Sequence, residues 1–350
     1  MRWTRALLVL LAVAIVALGL LGQLVFNSAS EPGPATTEQR VLVAPGSSLR
    51  TVLGQLAAHD LLRYPRLFET YLRCCHRDPA TAALGIQVGI KAGSYRFEPG
   101  MSPLAILSDL QQGKVVLEQL TIVEGWSFAQ MRAAIATHPD VGQTLNSRSD
   151  KDVMAAMGSP QLWPEGRFAP DTYRFAAGTP DEQIYRLAFD AQRHNIDEAW
   201  QNRQPDLPLA NAEQALILAS IVEKETGLTS ERARVAGVFI NRLRKGMRLQ
   251  SDPTVIYGIR GRYDGDIRNR DLTTDTPYNT YTRDGLPPTP IALPGKDAIW
   301  ATLHPERTDA VYFVAIGDGT GGHYFSSTLD EHNRAVRRYL DRLKRTGDAP

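Results

Sequence analysis

Two carboxylates close an almost wholly apolar helix in this chain of 350 residues. Ala215 to Gly227 read Ala-Leu-Ile-Leu-Ala-Ser-Ile-Val-Glu-Lys-Glu-Thr-Gly. The run before Glu223 carries no charge and leaves no polar face, so the helix is expected to be buried. Gly227 stands where it would end the helix. A carboxyl group in the last turn meets the negative end of the helix dipole and low-dielectric surroundings. Both disfavour ionisation and raise its pKa. A carboxylic acid that keeps its proton near neutral pH is what general-acid catalysis requires. Position on the helix separates the two acids. Glu225 shares a stripe with Val222, Ile221 and Leu218, whereas Glu223 stacks over Ser220, Ala219 and Leu216. Glu225 is therefore expected to be the catalytic acid and Glu223 a helper at the substrate. Lys224 points about 100° away around the helix. In the competing reading both are solvated helix-end acids paired with Lys224 or a neighbouring arginine.

Sugar sites combine such a carboxyl group with flat aromatic faces and amide or hydroxyl donors. Gln250, Thr254, Tyr257, Tyr278, Asn279 and Tyr281 offer these chemistries in loops after the helix, where binding groups belong. Tyr257 and Tyr281 have a second reading as packing residues, and Pro287, Pro288 and Pro290 as the wall of a groove or an ordinary stiff turn. Most glycoside hydrolases need two carboxylates. Asp171 and Asp252, each beside a proline, are the obvious second acids, although one acid suffices if the sugar supplies its own nucleophile. No metal and no cofactor is expected. His59, His76, His138, His194, His304, His323 and His332 are dispersed, and no HExxH occurs. Cys74 and Cys75 are adjacent and staple no loop.

These residues need a scaffold. Hydrophobic residues make up 43% of the chain and charged ones 22%, with a formal net charge of +1. That is globular composition without a nucleic-acid footprint; the basic residues scatter apart from Arg242, Arg244 and Lys245 at a helix end. Arg2 and Arg5 precede an apolar run from Ala6 to Phe26, long enough to span a bilayer, with the positive flank placing the N-terminus in the cytoplasm. A cleaved signal peptide is the alternative. A Ser/Pro/Thr-rich linker follows. One pattern then recurs three times: a short strand, a glycine, a serine two residues later, and an amphipathic helix. Its copies carry Gly46, Ser48, Val52 and Leu56; Gly100, Ser102, Ile106 and Leu110; and Gly125, Ser127, Met131 and Ile135. Another helix is expected around Leu62 to Leu72. The first two copies with that helix resemble LysM-like domains, which bind wall glycans. Beyond Glu225, a helix should start from a cap at Thr229 or Ser230 and end near Gly246. Leu249–Gly258 reads as a polar turn into a short apolar segment, Val311–Ala315 and His323–Phe325 as paired strands, and Asp330–Lys344 as a last helix.

Together, Ser220-Ile-Val-Glu-Lys-Glu-Thr226, Val238-Phe-Ile-Asn-Arg-Leu243, Met247-Arg-Leu-Gln-Ser-Asp-Pro-Thr-Val-Ile-Tyr-Gly258, Tyr278-Asn-Thr-Tyr281 and Gly285-Leu-Pro-Pro288 resemble the YceG-like endolytic murein transglycosylases. The 165–173 stretch fits too, although Arg167 stands where the family more often has an apolar or aromatic residue. The resemblance implies an α+β protein anchored in the inner membrane. Its parts would be a cytoplasmic tip and anchor over 1–27, a linker over 28–40, a LysM-like module over 41–118 and a mixed helix and short-strand catalytic domain over 119–345. It also implies periplasmic cleavage within nascent peptidoglycan glycan strands, peptidoglycan synthases as partners, and Glu225 as the catalytic glutamate. The implied reaction needs one carboxylate, because the muramyl 6-hydroxyl closes onto C1 to leave a 1,6-anhydro end.

Overall fold

The computed structural model describes residues 2–44, 46–74 and 89–346; Cys75 and His76 lie outside them. The chain divides into two compact units, one running to Gln119 with Arg174–Thr179 added, the other comprising Leu120–Tyr173 and the chain from Pro180 onward.

In the first unit, helix α1 (Arg2–Ser30) contains a 20-residue stretch, Leu11–Ser30, of mean hydropathy 2.0. That is long and apolar enough to cross a membrane by length and composition. Its end joins the core of the unit, where Ala29 is buried among Val41, Leu56 and Phe68. Strand β1 (Gln39–Val43) leads to helices α2 (Leu49–Ala58) and α3 (Pro65–Cys74), then to strand β2 (Gly93–Phe97) and helix α4 (Pro103–Gln112). β1 and β2 pair antiparallel, with Val41 opposite Tyr95. α1 packs on α3 and α4. Pro65 opens α3, a first-turn position where its missing N–H costs nothing, so the helix starts later than Leu62. Strand β3 (Leu117–Thr121) carries the chain into the second unit.

There, helix α5 (Phe128–Thr137) completes the recurring pattern. Gly46, Gly100 and Gly125 have φ of 77°, 73° and 76°, a left-handed turn that favours glycine. Ser48, Ser102 and Ser127 then cap α2, α4 and α5, each hydroxyl accepting an amide hydrogen of the first turn. The paired apolar positions, Val52/Leu56, Ile106/Leu110 and Met131/Ile135, are all buried. The turn, cap and core stripe read from the sequence thus occur in all three copies.

The rest of the second unit is mostly helical. α6 (Asp150–Ala156), strand β4 (Thr172–Ala176), α7 (Asp181–Gln201), α8 (Ala212–Glu225), α9 (Thr229–Arg244), α10 (Asp252–Gly258), α11 (Asn269–Thr273) and α12 (Lys296–Leu303) precede strands β5 (Tyr312–Ala315) and β6 (His323–Ser326) and the last helix, α13 (Leu329–Thr346). Strand β4 runs from this unit into the Arg174–Thr179 segment of the first. α8 is the centre. Residues Ala215 to Val222 are all buried, and α7, α9 and α12 pack around them. β5 and β6 form the expected hairpin, with Phe313 opposite Phe325.

Three details differ from the sequence reading. Gly227 does not end α8 in a left-handed turn; Thr226 caps it with extended backbone, φ −143° and ψ 130°. The cap of α9 is Leu228, whose hydrocarbon side chain has no acceptor to offer; Thr229 already lies inside the helix, and the Leu228 amide donates to the Thr226 hydroxyl at 3.0 Å. Residues 252–258 form a helix rather than a turn, with Pro253 in its first turn, where proline is tolerated.

The capping box of α5 gives a stability test. The Ser127 hydroxyl accepts the Gln130 amide hydrogen at 3.3 Å and Gln130 Oε1 accepts the Ser127 N–H at 2.8 Å. Ser127→Ala should destabilise the protein by about 1 kcal/mol in urea unfolding, and Ser127→Asp should recover most of it.

Candidate active site

Glu225 is the last residue of α8 and is half-buried. Part of the residue reaches solvent while its carboxyl group is enclosed by protein. Burial pushes its pKa up to about 7; the Ser251 hydrogen bond pulls against that, the Asp252 charge adds to it and the Arg242 charge opposes it. Ser251 Oγ donates to Glu225 Oε1 at 2.6 Å. Ser251 is also the N-cap residue of α10, yet it makes no side-chain cap bond. A serine there ordinarily caps its helix; this one gives its hydroxyl to the acid.

The segment that presents Ser251 is tightly held. Arg242, buried in α9, donates from Nη1 to the carbonyls of Arg248 at 3.1 Å and Leu249 at 2.8 Å, and to Gln250 Oε1 at 3.3 Å. Its Nε donates to the Val311 carbonyl at 2.6 Å. Burial lowers the pKa of Arg242, with Tyr312, Tyr281 and Glu225 acting the other way. Gln250 has φ 51°, a left-handed conformation that is costly for a residue with a Cβ and gathers at functional sites. The Gln250 amide donates to the Thr280 carbonyl at 3.1 Å and the Ser251 amide to the Thr280 hydroxyl at 3.0 Å. Asp252 is exposed, and its Oδ1 accepts from the Tyr281 hydroxyl at 2.6 Å. Glu225, Gln250, Ser251, Asp252 and Tyr281 thus form one cluster around a protonatable carboxyl group.

Glu223 goes elsewhere. Two residues along a helix turn a side chain by about 200°. Its Oε1 accepts from Arg232 Nη2 at 3.2 Å and its Oε2 from the Gly295 amide at 2.8 Å, the N-cap of α12. Arg232 also pairs with Glu124 at 3.2 Å. Burial raises the Glu223 pKa, against the Gly295 bond and the Arg232 charge. The side chain is 5% exposed and spent inside the protein, so the substrate-helper role expected of Glu223 gives way to joining α8, α9 and α12. Arg232 is engaged here with Glu223 and Glu124, and Lys224 turns to the Gly125 carbonyl at 3.3 Å.

Three further expected ligands are internal. Thr254 and Asn279 are each 0% exposed. Thr254 Oγ1 donates to the Ser251 carbonyl at 2.6 Å. Asn279 Nδ2 donates to the carbonyls of Leu272 at 3.0 Å and Thr274 at 2.7 Å, and its Oδ1 accepts the Tyr281 amide hydrogen at 2.8 Å. Tyr257 is 8% exposed and donates to Glu165 Oε2 at 3.1 Å. Their polar groups shape the loop rather than face a ligand, which corrects the expectation that they line the groove. Tyr278 lies edge-on to Tyr257, centroids 4.7 Å apart, and its hydroxyl meets Thr289 Oγ1 at 2.9 Å. Asp171 accepts the Thr172 amide hydrogen at 2.6 Å. The proline loop packs on Gly166, where a Cβ would meet Pro290 Cβ at 2.5 Å, and the Ile291 amide donates to Ser220 Oγ at 3.0 Å. A cavity of about 220 Å³ lined by Arg167, Phe189, Glu213 and Leu216 is a separate feature, at the opposite end of α8.

Residues 41–338 match the YceG-like family. The chain belongs to the YceG-like family. Among its YceG-like relatives, an endolytic murein transglycosylase of Bacillus subtilis is 31% identical, over 87% of this chain and 85% of that protein. One of Streptococcus pneumoniae is 27% identical over 85% of this chain, which spans 58% of that longer protein. A solved YceG-like protein from Listeria monocytogenes is 29% identical with a TM-score of 0.54, covering 86% of this chain and 99% of the other.

The raised pKa of Glu225 has a stability consequence with a defined sign. The folded carboxyl titrates near 7 against an ordinary value of 4.5. The folded state therefore holds its proton more tightly, and stability present below the ordinary value is lost as pH rises through about 7. Glu225→Gln should stabilise the protein at pH 8 by up to about 3 kcal/mol and change little at pH 4. Denaturant unfolding at both values measures it; equal effects at the two would contradict the burial of this charge.

Proposed function

We propose that this chain is an endolytic murein transglycosylase that cuts inside peptidoglycan glycan strands, with Glu225 as its single acid–base group. The observation that carries this reading is the enclosed Glu225 carboxyl, pushed to about 7 and held by Ser251. Both curated relatives described above carry that activity in their names.

The protonated Glu225 gives its proton to the glycosidic oxygen between N-acetylmuramic acid and N-acetylglucosamine as the bond to C1 breaks. The carboxylate then takes the proton of the muramyl 6-hydroxyl while O6 bonds to C1. No water is consumed, one bond is exchanged for another and Glu225 ends protonated again. The Ser251 hydroxyl fixes the carboxyl and steadies its charged interval. Asp252 and Tyr281, with Gln250 at the lip, face the sugar. Asp252 opposes ionisation of Glu225 and supports the developing positive charge at C1. No metal or cofactor takes part.

Helix α1 is read as an uncleaved anchor in the inner membrane, N-terminus cytoplasmic, with the rest of the chain periplasmic. The strand–helix–helix–strand order of the described residues within 39–97 supports a LysM-like module for glycan strands. Peptidoglycan synthases fit as partners of an enzyme that ends strand growth.

Three substitutions test the chemistry on polymerised glycan strands. Glu225→Gln should lose a factor of roughly 10² to 10⁴ in turnover while staying folded. Activity should fall as pH rises through about 7, when the acid loses its proton. Ser251→Ala removes a bond that favours the carboxylate, so that fall should move to higher pH; Asp252→Asn removes a repelling charge and should move it lower. Mass spectrometry of the products should find 1,6-anhydro ends. Reducing ends would instead mark a hydrolase using Asp252 as second carboxylate. Full turnover by Glu225→Gln would place the chemistry elsewhere.

A further inference from the structure

An arginine-rich groove lies between α2 and α3 in the first unit. Arg50 and Gly54 of α2 face Pro65, Arg66, Glu69 and Arg73 of α3 across an open space of about 620 Å³. Glu69 Oε1 accepts from Arg73 at 2.6 Å and from Arg50 at 3.4 Å. One carboxylate thus serves two guanidinium groups, and the Arg66 guanidinium is exposed with no ion-pair partner among the described residues. Arg66 is thus a cation of the groove that Glu69 does not serve.

Gly54 is the second observation. It sits inside α2, where glycine weakens a helix relative to alanine, yet a Cβ there would meet nothing within 4 Å. No neighbour among the described residues requires the missing side chain. A bare floor is what a ligand lying close against the helix requires.

Position supplies the third. α3 packs directly on α1, and the contact lies at the end of α1, where Ala29 is buried while Leu18, Leu20, Leu21 and Leu24 are exposed. If the exposed apolar part of α1 lies in the hydrocarbon, α3 is held at the headgroup layer, the depth at which an exposed aromatic such as Tyr64, 53% accessible, is favoured. Guanidinium groups bind phosphate through paired N–H donors, and basic residues near an anionic leaflet add attraction.

We propose that this groove binds the phosphate headgroup of an anionic phospholipid and seats the first unit on the membrane surface. The proposal rests on reading α1 as a membrane anchor. The test uses the full chain in mild detergent, with native mass spectrometry counting bound phosphatidylglycerol and phosphatidylcholine. The wild-type chain should retain phosphatidylglycerol in preference to phosphatidylcholine. The triple variant Arg50→Gln/Arg66→Gln/Arg73→Gln should retain on the order of tenfold less phosphatidylglycerol, with phosphatidylcholine unchanged. Gly54→Leu keeps every charge and favours the helix, so it should raise thermal stability while reducing phosphatidylglycerol retention. Equal retention by all three proteins would overturn the proposal. So would loss of soluble glycan-strand binding, rather than lipid, in the triple variant. Alkaline extraction of membranes separates the two readings: release of the wild-type chain rejects the anchor, whereas a retained chain with equal lipid binding rejects the groove alone.

Discussion

The withdrawal of one carboxyl group from water governs the second unit. Glu225 ends a helix whose eight preceding core residues are all buried, so its carboxyl inherits a low-dielectric setting and the negative end of the helix together. A group so placed would ordinarily be relieved by a cation. No ion pair reaches it among the described residues: Arg232 is tied to Glu223 and Glu124, and Arg242, whose charge still opposes the shift, spends its N–H groups on Gln250 and backbone carbonyls. What reaches Glu225 is a neutral donor, the Ser251 hydroxyl. A neutral donor fixes geometry without forcing ionisation, which leaves the acid able both to give and to take a proton near neutral pH.

The two arginines divide the labour of the helices around α8. Arg232 gathers carboxylates and joins α8, α9 and α12; Arg242 gathers carbonyls and holds the chain from Arg248 to Gln250 in the conformation that presents Ser251. The left-handed Gln250 is stable only because that network over-determines it, as expected of strain stored beside a reactive group. Asp252 then follows at the start of α10, near enough to act on Glu225 electrostatically and fastened to Tyr281.

Much of this was legible before any coordinates. The apolar run before Glu223 announced the buried helix, at whose end the two acids take different partners, Ser251 for Glu225 and Arg232 with the Gly295 amide for Glu223. The glycine–serine spacing located three capped helices, since a left-handed glycine and a serine cap act over a few residues and leave local signatures. What stayed hidden depends on distant partners. Ser251 reads as an ordinary cap, and only the fold diverts its hydroxyl to an acid 26 residues earlier in the chain. Arg242 looked like one of three basic residues at a helix end, but burial and backbone carbonyls set it apart from exposed Arg244 and Lys245. Thr254, Asn279 and Tyr257 have sugar-binding chemistry, and residue type alone does not distinguish a donor aimed at a ligand from one that organises a loop.

The account depends most directly on the charge state of Glu225 in the folded protein. Carbon-13 NMR titration of a selectively labelled glutamate carboxyl, assigned by comparison with Glu225→Gln, reads it without substrate. A midpoint near 7, moving upward in Ser251→Ala, is the predicted result. A midpoint at the ordinary value near 4.5, unmoved by the serine substitution, would contradict it.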